Sequence, residues 1–196
     1  MNVRAFDGGG SIDRILRMLG WGAAGLLFLA PVVAEQVWAE MAWSASDFVI
    51  WGLMLLGACG AGELALRSSA SWTYRTGAVV TIGAMFMVFW ATGAVGIVGS
   101  EDHPANLLYA AVLAVGVGGA FAADFKARGM ARATLLMAVA TGLVGVFTVA
   151  GRWGSEEAAN WLHVAVFANG FFATAWLFAA WLFRRAAREQ AAGAEA

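Results

Sequence analysis

Long unbroken runs of apolar residues, separated by short polar connections, dominate the chain. Six such runs can be read, at about 14–34, 46–66, 76–98, 105–123, 132–151 and 160–183. Each reaches the roughly 20 residues that an α-helix needs to cross the hydrocarbon core of a bilayer. The stretch GAVVTIGAMFMVFWATGAVGIVG at 77–99 is typical, being apolar at every phase. It has none of the alternation that a membrane β-barrel requires. The pattern predicts an all-α protein, an integral membrane bundle of six transmembrane helices forming one domain over 1–196.

Composition agrees: 61% of residues are hydrophobic and 13% charged, about half the charged fraction of a soluble domain. The single cysteine, Cys59, lies in an apolar run, which excludes an intramolecular disulfide framework and a cysteine-based metal or iron–sulfur site. Basic tracts interleaved with aromatics are absent from the sequence, so nucleic acid is not an expected partner. The 25 glycines against 2 prolines suit helices that pack closely through small residues.

Charge sharpens the picture, because the net −1 sums two unlike faces. In a six-span layout Arg4, Arg14, Arg17, Arg67, Arg75, Lys126, Arg128, Arg132, Arg184, Arg185 and Arg188 fall on one side, and only Arg152 on the other. The positive-inside rule then puts both termini in the cytoplasm. The opposite connections carry Glu35, Glu40, Asp47, Glu101, Asp102, Glu156 and Glu157 and form an acidic face. Trp38, Trp43, Trp153 and Trp161 lie at the acidic boundary, and Trp72, Tyr74, Trp176 and Trp181 at the basic one, as expected of rings that prefer the headgroup level. Trp90 falls deep in the third run, where its N–H calls for a partner on a neighbouring helix. The first run has a second reading: basic residues to Arg17, an apolar core and Val32-Val33-Ala34 resemble a secretory signal, whose cleavage before Glu35 would leave five spans.

Two stretches echo each other. Ala91-Thr-Gly-Ala-Val-Gly96 followed by Gly99-Ser-Glu-Asp102 and Asn106 is matched by Ala140-Thr-Gly-Leu-Val-Gly145 followed by Gly154-Ser-Glu-Glu157 and Asn160. This predicts two helical hairpins repeated in parallel orientation. Ser44 precedes Asp47 in the same way, so each helix leaving the acidic face is expected to begin with a capping serine and a carboxylate at the positive end of its dipole. Pro104 suits a helix start by the same logic.

Convergence of these helix starts would gather the carboxylates into a cation-attracting vestibule. Glu156, Asn160 and His163 stand at i, i+4 and i+7, one helix face. With Glu101, Asp102 and His103 they supply nitrogen and oxygen donors for a candidate divalent metal site at Glu101, Asp102, His103, Glu156 and His163. A candidate ion pathway runs through Asp47, Glu63, Asn160 and Asn169. Glu63 is the one acid inside a run, and Arg67 follows it at i+4 in the favourable order, which favours a paired structural acid. Asn169 reads as interhelical glue. Haem is not expected, because His103 and His163 are the only histidines and neither lies at mid-span. The glycines of the second, fourth and fifth runs read as packing positions. Neither a GxSxG elbow nor a GxxxxGK loop occurs in the sequence, so no catalytic activity and no cofactor are expected.

The stretch Val95-Gly-Ile-Val-Gly-Ser-Glu-Asp-His-Pro-Ala-Asn-Leu-Leu-Tyr109, continuing through Leu113–Gly116 to Gly129-Met-Ala-Arg132, resembles an uncharacterised family of small bacterial polytopic inner-membrane proteins. The resemblance covers about the middle half of the chain. It implies a multi-pass location in a bacterial inner membrane and brings no activity with it. The expected function is that of a non-enzymatic membrane subunit or accessory protein, partnered by the bilayer and by a second copy or a membrane complex. The alternative is a small cation or proton transporter or channel with an acidic periplasmic vestibule.

Overall fold

The computed structural model describes residues 7–37, 43–156 and 159–194, so Arg4, Trp38, Glu40 and Glu157 lie outside the described residues. Its regular elements are helices: α1 (Asp7–Val37), α2 (Ala45–Ser68), α3 (Trp72–Ala94), α4 (Leu107–Ala122), α5 (Ala127–Ala150) and α6 (Trp161–Ala194), with a 3-10 turn Pro104–Asn106 leading into α4. Six of its helical segments are long and apolar enough to cross a membrane. They correspond one to one with the apolar runs, but several ends differ. Helix α1 passes through Pro31 and the Val32–Ala34 stretch to Val37. Helix α3 stops at Ala94, short of residue 98, because Gly96 (φ 73°) and Gly99 (φ 63°) turn the backbone into the left-handed region. Helix α6 continues to Ala194, well past the apolar run. Its extension buries Ala186 and Ala187 and carries an i, i+4 pair between Arg185 and Glu189 at 2.9 Å.

By its internal packing the chain divides into two compact units, residues 1–70 and 71–196. The first is an antiparallel hairpin of α1 and α2. Its register shows in four links that run in opposite order along the two helices. The Arg17 guanidinium meets Glu63, the Cys59 thiol points at the Gly20 carbonyl (3.7 Å), Trp51 Nε1 donates to the Leu27 carbonyl (2.9 Å), and the Trp43 amide donates to Glu35 (2.8 Å). A Cβ on Gly52 would lie 3.2 Å from the Phe28 ring, so the small residue lets that ring seat against α2.

The second unit is a four-helix bundle in which α5 and α6 pack along their lengths, α3 lies against α6, and α4 against α5. Its fully buried side chains include Tyr74, Val88, Tyr109, Met137, Trp176 and Phe183. Helix α5 turns Thr134, Thr141 and Thr148 inward, a seven-residue spacing that keeps them on one face. Close approach is set by glycine: a Cβ on Gly119 would meet Ala133 Cβ at 2.6 Å, and one on Gly145 would meet Asn169 Cβ at 2.9 Å. The Tyr74 hydroxyl donates to the Phe125 carbonyl at 2.6 Å and ties the start of α3 to the α4–α5 turn, where Asp124 and Phe125 adopt positive φ. One end of this unit is basic, with Arg75, Lys126, Arg128, Arg132, Arg184, Arg185 and Arg188; the other carries Glu101, Asp102 and Glu156.

Candidate functional site

The polar side chains fall into separate groups, best taken unit by unit. In the hairpin of α1 and α2, Asp47 closes a capping box. The Ser44 amide donates to Asp47 Oδ2 (2.8 Å) while the Asp47 amide donates to Ser44 Oγ (3.3 Å), so this carboxylate satisfies backbone groups at a helix start. Glu63 is bound on both oxygens, by Arg67 Nε at 2.8 Å from its own helix and by Arg17 Nε at 2.7 Å from α1. The Arg67 contact follows from i, i+4 spacing. The Arg17 contact depends on the register between two helices, which local spacing does not encode. Glu63 is therefore the clasp of the hairpin. Replacing it with Gln should lower the melting temperature of the detergent-solubilised protein, the exposure of the arginines limiting the effect. Arg17→Met should cost more than Arg67→Met in the same thermal melts, because only Arg17 joins the two helices; equal losses would refute the clasp.

At the acidic end of the second unit the segment 95–106 is organised by Asn106, which is 8% exposed. Its Oδ1 accepts from the amides of Ile97 and Val98 (both 3.0 Å), and its Nδ2 donates to the carbonyls of Val98 (3.2 Å) and Ser100 (2.7 Å). His103 caps the 3-10 turn, its Nδ1 accepting from the Ala105 amide at 3.2 Å. The expected serine cap is thus present at α2 and replaced at the start of α4. Here His103 and Asn106 occupy the corresponding places, and Asn106 spends its side chain on the preceding loop.

Most of the other candidate site residues lie on the surface. Glu101 and Asp102 are exposed in a turn. Glu156 and Asn160 precede α6, whose first residue is Trp161, so the supposed helical alignment of Glu156, Asn160 and His163 does not exist. Asn160 and His163 are exposed. Among the described residues no three of His, Cys, Asp and Glu come together in a group that could hold a metal ion. Asn169 is 5% exposed; its Oδ1 accepts from the Tyr109 hydroxyl (3.1 Å) and its Nδ2 donates to the Ala165 carbonyl (2.9 Å). This is the interhelical glue expected of it, here joining α6 to α4. Trp176 Nε1 donates to Thr141 Oγ1 at 3.1 Å and joins α6 to α5. Trp90, expected to point its N–H at a neighbouring helix, is instead 44% exposed, because the inward face of α3 at this depth belongs to Ala84 and Val88.

The two echoed motifs do meet. A Cβ on Gly154 would lie 2.6 Å from the Gly99 amide nitrogen, so the two Gly-Ser turns pack glycine to glycine. Beyond that point they diverge: Asn106 is buried and Asn160 exposed. Asn106, Tyr109, Thr141 and Arg17 are working polar residues outside the candidate site residues read from the sequence. Of these only Asn106 carried a signal, its place in the echo.

No family model, no curated protein and no solved structure matches the chain.

Proposed function

We propose that the chain is a multi-pass protein of a bacterial inner membrane, with both termini cytoplasmic, that works as a non-enzymatic subunit or accessory protein of a membrane assembly. The six long apolar helices support the membrane part, and the collection of Lys and Arg at one end supports the orientation. The observation that carries the subunit reading is the state of the small residues on the helix surfaces. Gly57 on α2, and Gly83, Gly118, Gly142 and Gly170 on the four helices of the second unit, have open space where a Cβ would project. In a bilayer, small residues on a helix face let a second helix approach closely, which is how membrane helices associate. Meanwhile Asn169, Tyr109, Trp176 and Thr141 spend their polar atoms on one another or on backbone, and Glu63 is clasped by two arginines.

Affinity purification from native membranes in a mild detergent tests this. The protein should co-elute with a membrane partner, either another chain or a second copy. Gly57→Leu and Gly142→Leu together should abolish co-elution while leaving the melting temperature of the purified chain in place. Elution as a lone monomer, with cation or proton flux above protein-free vesicles after reconstitution, would replace the subunit reading by the transporter.

A further inference from the structure

At the basic end of the second unit the first turns of α5 and the late turns of α6 enclose a groove of about 500 Å3 lined by Arg128, Ala131, Arg132, Trp181, Arg184, Ala187 and Arg188. Its lining therefore has four guanidiniums and no carboxylate. Arg128 and Arg132 are an i, i+4 pair, as are Arg184 and Arg188, and like charges at that spacing repel. The α5 pair also sits at the positive end of its helix dipole, where cations are disfavoured and anions favoured. Among the described residues the acids at this end of the unit are engaged elsewhere: Asp124 pairs with Lys126 at 3.1 Å, and Glu189 with Arg185 at 2.9 Å. Among the described residues none of the four groove arginines has an acidic partner. Such an arrangement holds a standing positive potential that an anion would relieve.

We propose that this groove binds the phosphate of an anionic phospholipid headgroup. Guanidinium forks match phosphate oxygens bidentately, and basic pockets between membrane helices hold such headgroups. What favours a lipid over a soluble phosphate is the surface adjoining the groove. Helical spacing puts Leu136 one turn beyond Arg132 on α5, and Leu177 one turn before Trp181 on α6. Both leucines are exposed, as are Phe178 and Trp181, whose rings stack at 5.7 Å. The arginine groove thus opens onto an apolar strip running along the helices away from the basic end, as headgroup and acyl chain require. Trp181 stands where the two meet, the level that indole rings prefer.

The test uses the full-length protein, delipidated in a neutral detergent and titrated with phosphatidylglycerol, phosphatidylcholine or inorganic phosphate, with bound lipid counted by native mass spectrometry and stability read as melting temperature. Phosphatidylglycerol should bind and raise the melting temperature, more weakly as salt increases, while phosphatidylcholine and inorganic phosphate should not. Arg132→Gln with Arg188→Gln should weaken phosphatidylglycerol binding roughly thirtyfold, about fivefold for each basic side chain. Arg152→Gln, an exposed arginine at the opposite end of the unit, should leave it unchanged. Equal binding of both lipids, or unchanged binding in the double variant, would overturn the proposal. Protection by inorganic phosphate equal to that by phosphatidylglycerol would make the ligand a soluble anion instead. Should the double variant fail to fold, a photoreactive phosphatidylglycerol on the wild-type protein decides: label within residues 128–136 or 177–188 supports the groove, and label elsewhere overturns it.

Discussion

Asn106→Ala should lower the unfolding free energy of the protein by about 3–5 kcal/mol, among the largest losses open to a single side chain outside the apolar core. The amide makes four bonds to the segment it closes, accepting from Ile97 and Val98 and donating to Val98 and Ser100. Ile97 and Val98 are themselves buried, so the freed backbone groups are sheltered from water, and each unsatisfied one costs on the order of 1–3 kcal/mol. Asn106→Asp should fall between wild type and alanine, since a carboxylate still accepts from both amides but turns an oxygen toward the Val98 and Ser100 carbonyls. Asn160→Ala is the control. It removes the echoed asparagine from an exposed turn and should shift stability by no more than about 0.5 kcal/mol. Thermal or denaturant unfolding in detergent measures all three, and an Asn106→Ala protein as stable as Asn160→Ala would remove Asn106 from its organising role.

The contrast between these two asparagines shows how far the sequence could be read. A helix that crosses a membrane announces itself by continuous apolarity, so all six segments were legible without any knowledge of neighbours. Ends were legible only where a local rule governs them. The Ser44–Asp47 capping box is such a rule, and so is the Glu63–Arg67 spacing. The end of α3 depended on two glycines taking positive φ, and in a chain with 25 glycines residue type alone does not single them out. The α6 extension lies beyond the apolar run, because its buried alanines contribute little hydropathy. Arg17 was assigned to the basic boundary, and only the packing of α1 on α2 brings it to Glu63. Among the described residues the candidate metal donors do not gather into one group, for a related reason. Sequence proximity to a common membrane face places carboxylates at one level, but their azimuth around the bundle is set by packing. Asn106 turns inward because its loop has backbone groups to satisfy, whereas Asn160 is exposed.

Gly154→Ala should destabilise the protein by about 2–4 kcal/mol, whereas the same substitution at Gly142 should stabilise it by up to about 1 kcal/mol. At Gly154 the backbone is left-handed, with φ 81°, and the added methyl would stand 2.6 Å from the Gly99 amide nitrogen and 2.9 Å from its Cα. Neither obstacle is a flexible side chain, so one of the two turns must move. At Gly142 the helix is regular and the space is open, leaving only the gain in helix propensity. The opposite signs separate a glycine required by a contact from one that is not. The site of damage is also specified: Gly99 belongs to the loop that Asn106 holds, so displacing it should loosen the Ile97 and Val98 amides. Hydrogen exchange at those two amides should quicken in Gly154→Ala and stay unchanged in Gly142→Ala. Because both lesions release the same segment, Asn106→Ala combined with Gly154→Ala should cost less than their separate losses added together. Full additivity would mean that the two Gly-Ser turns, though in contact, are held independently.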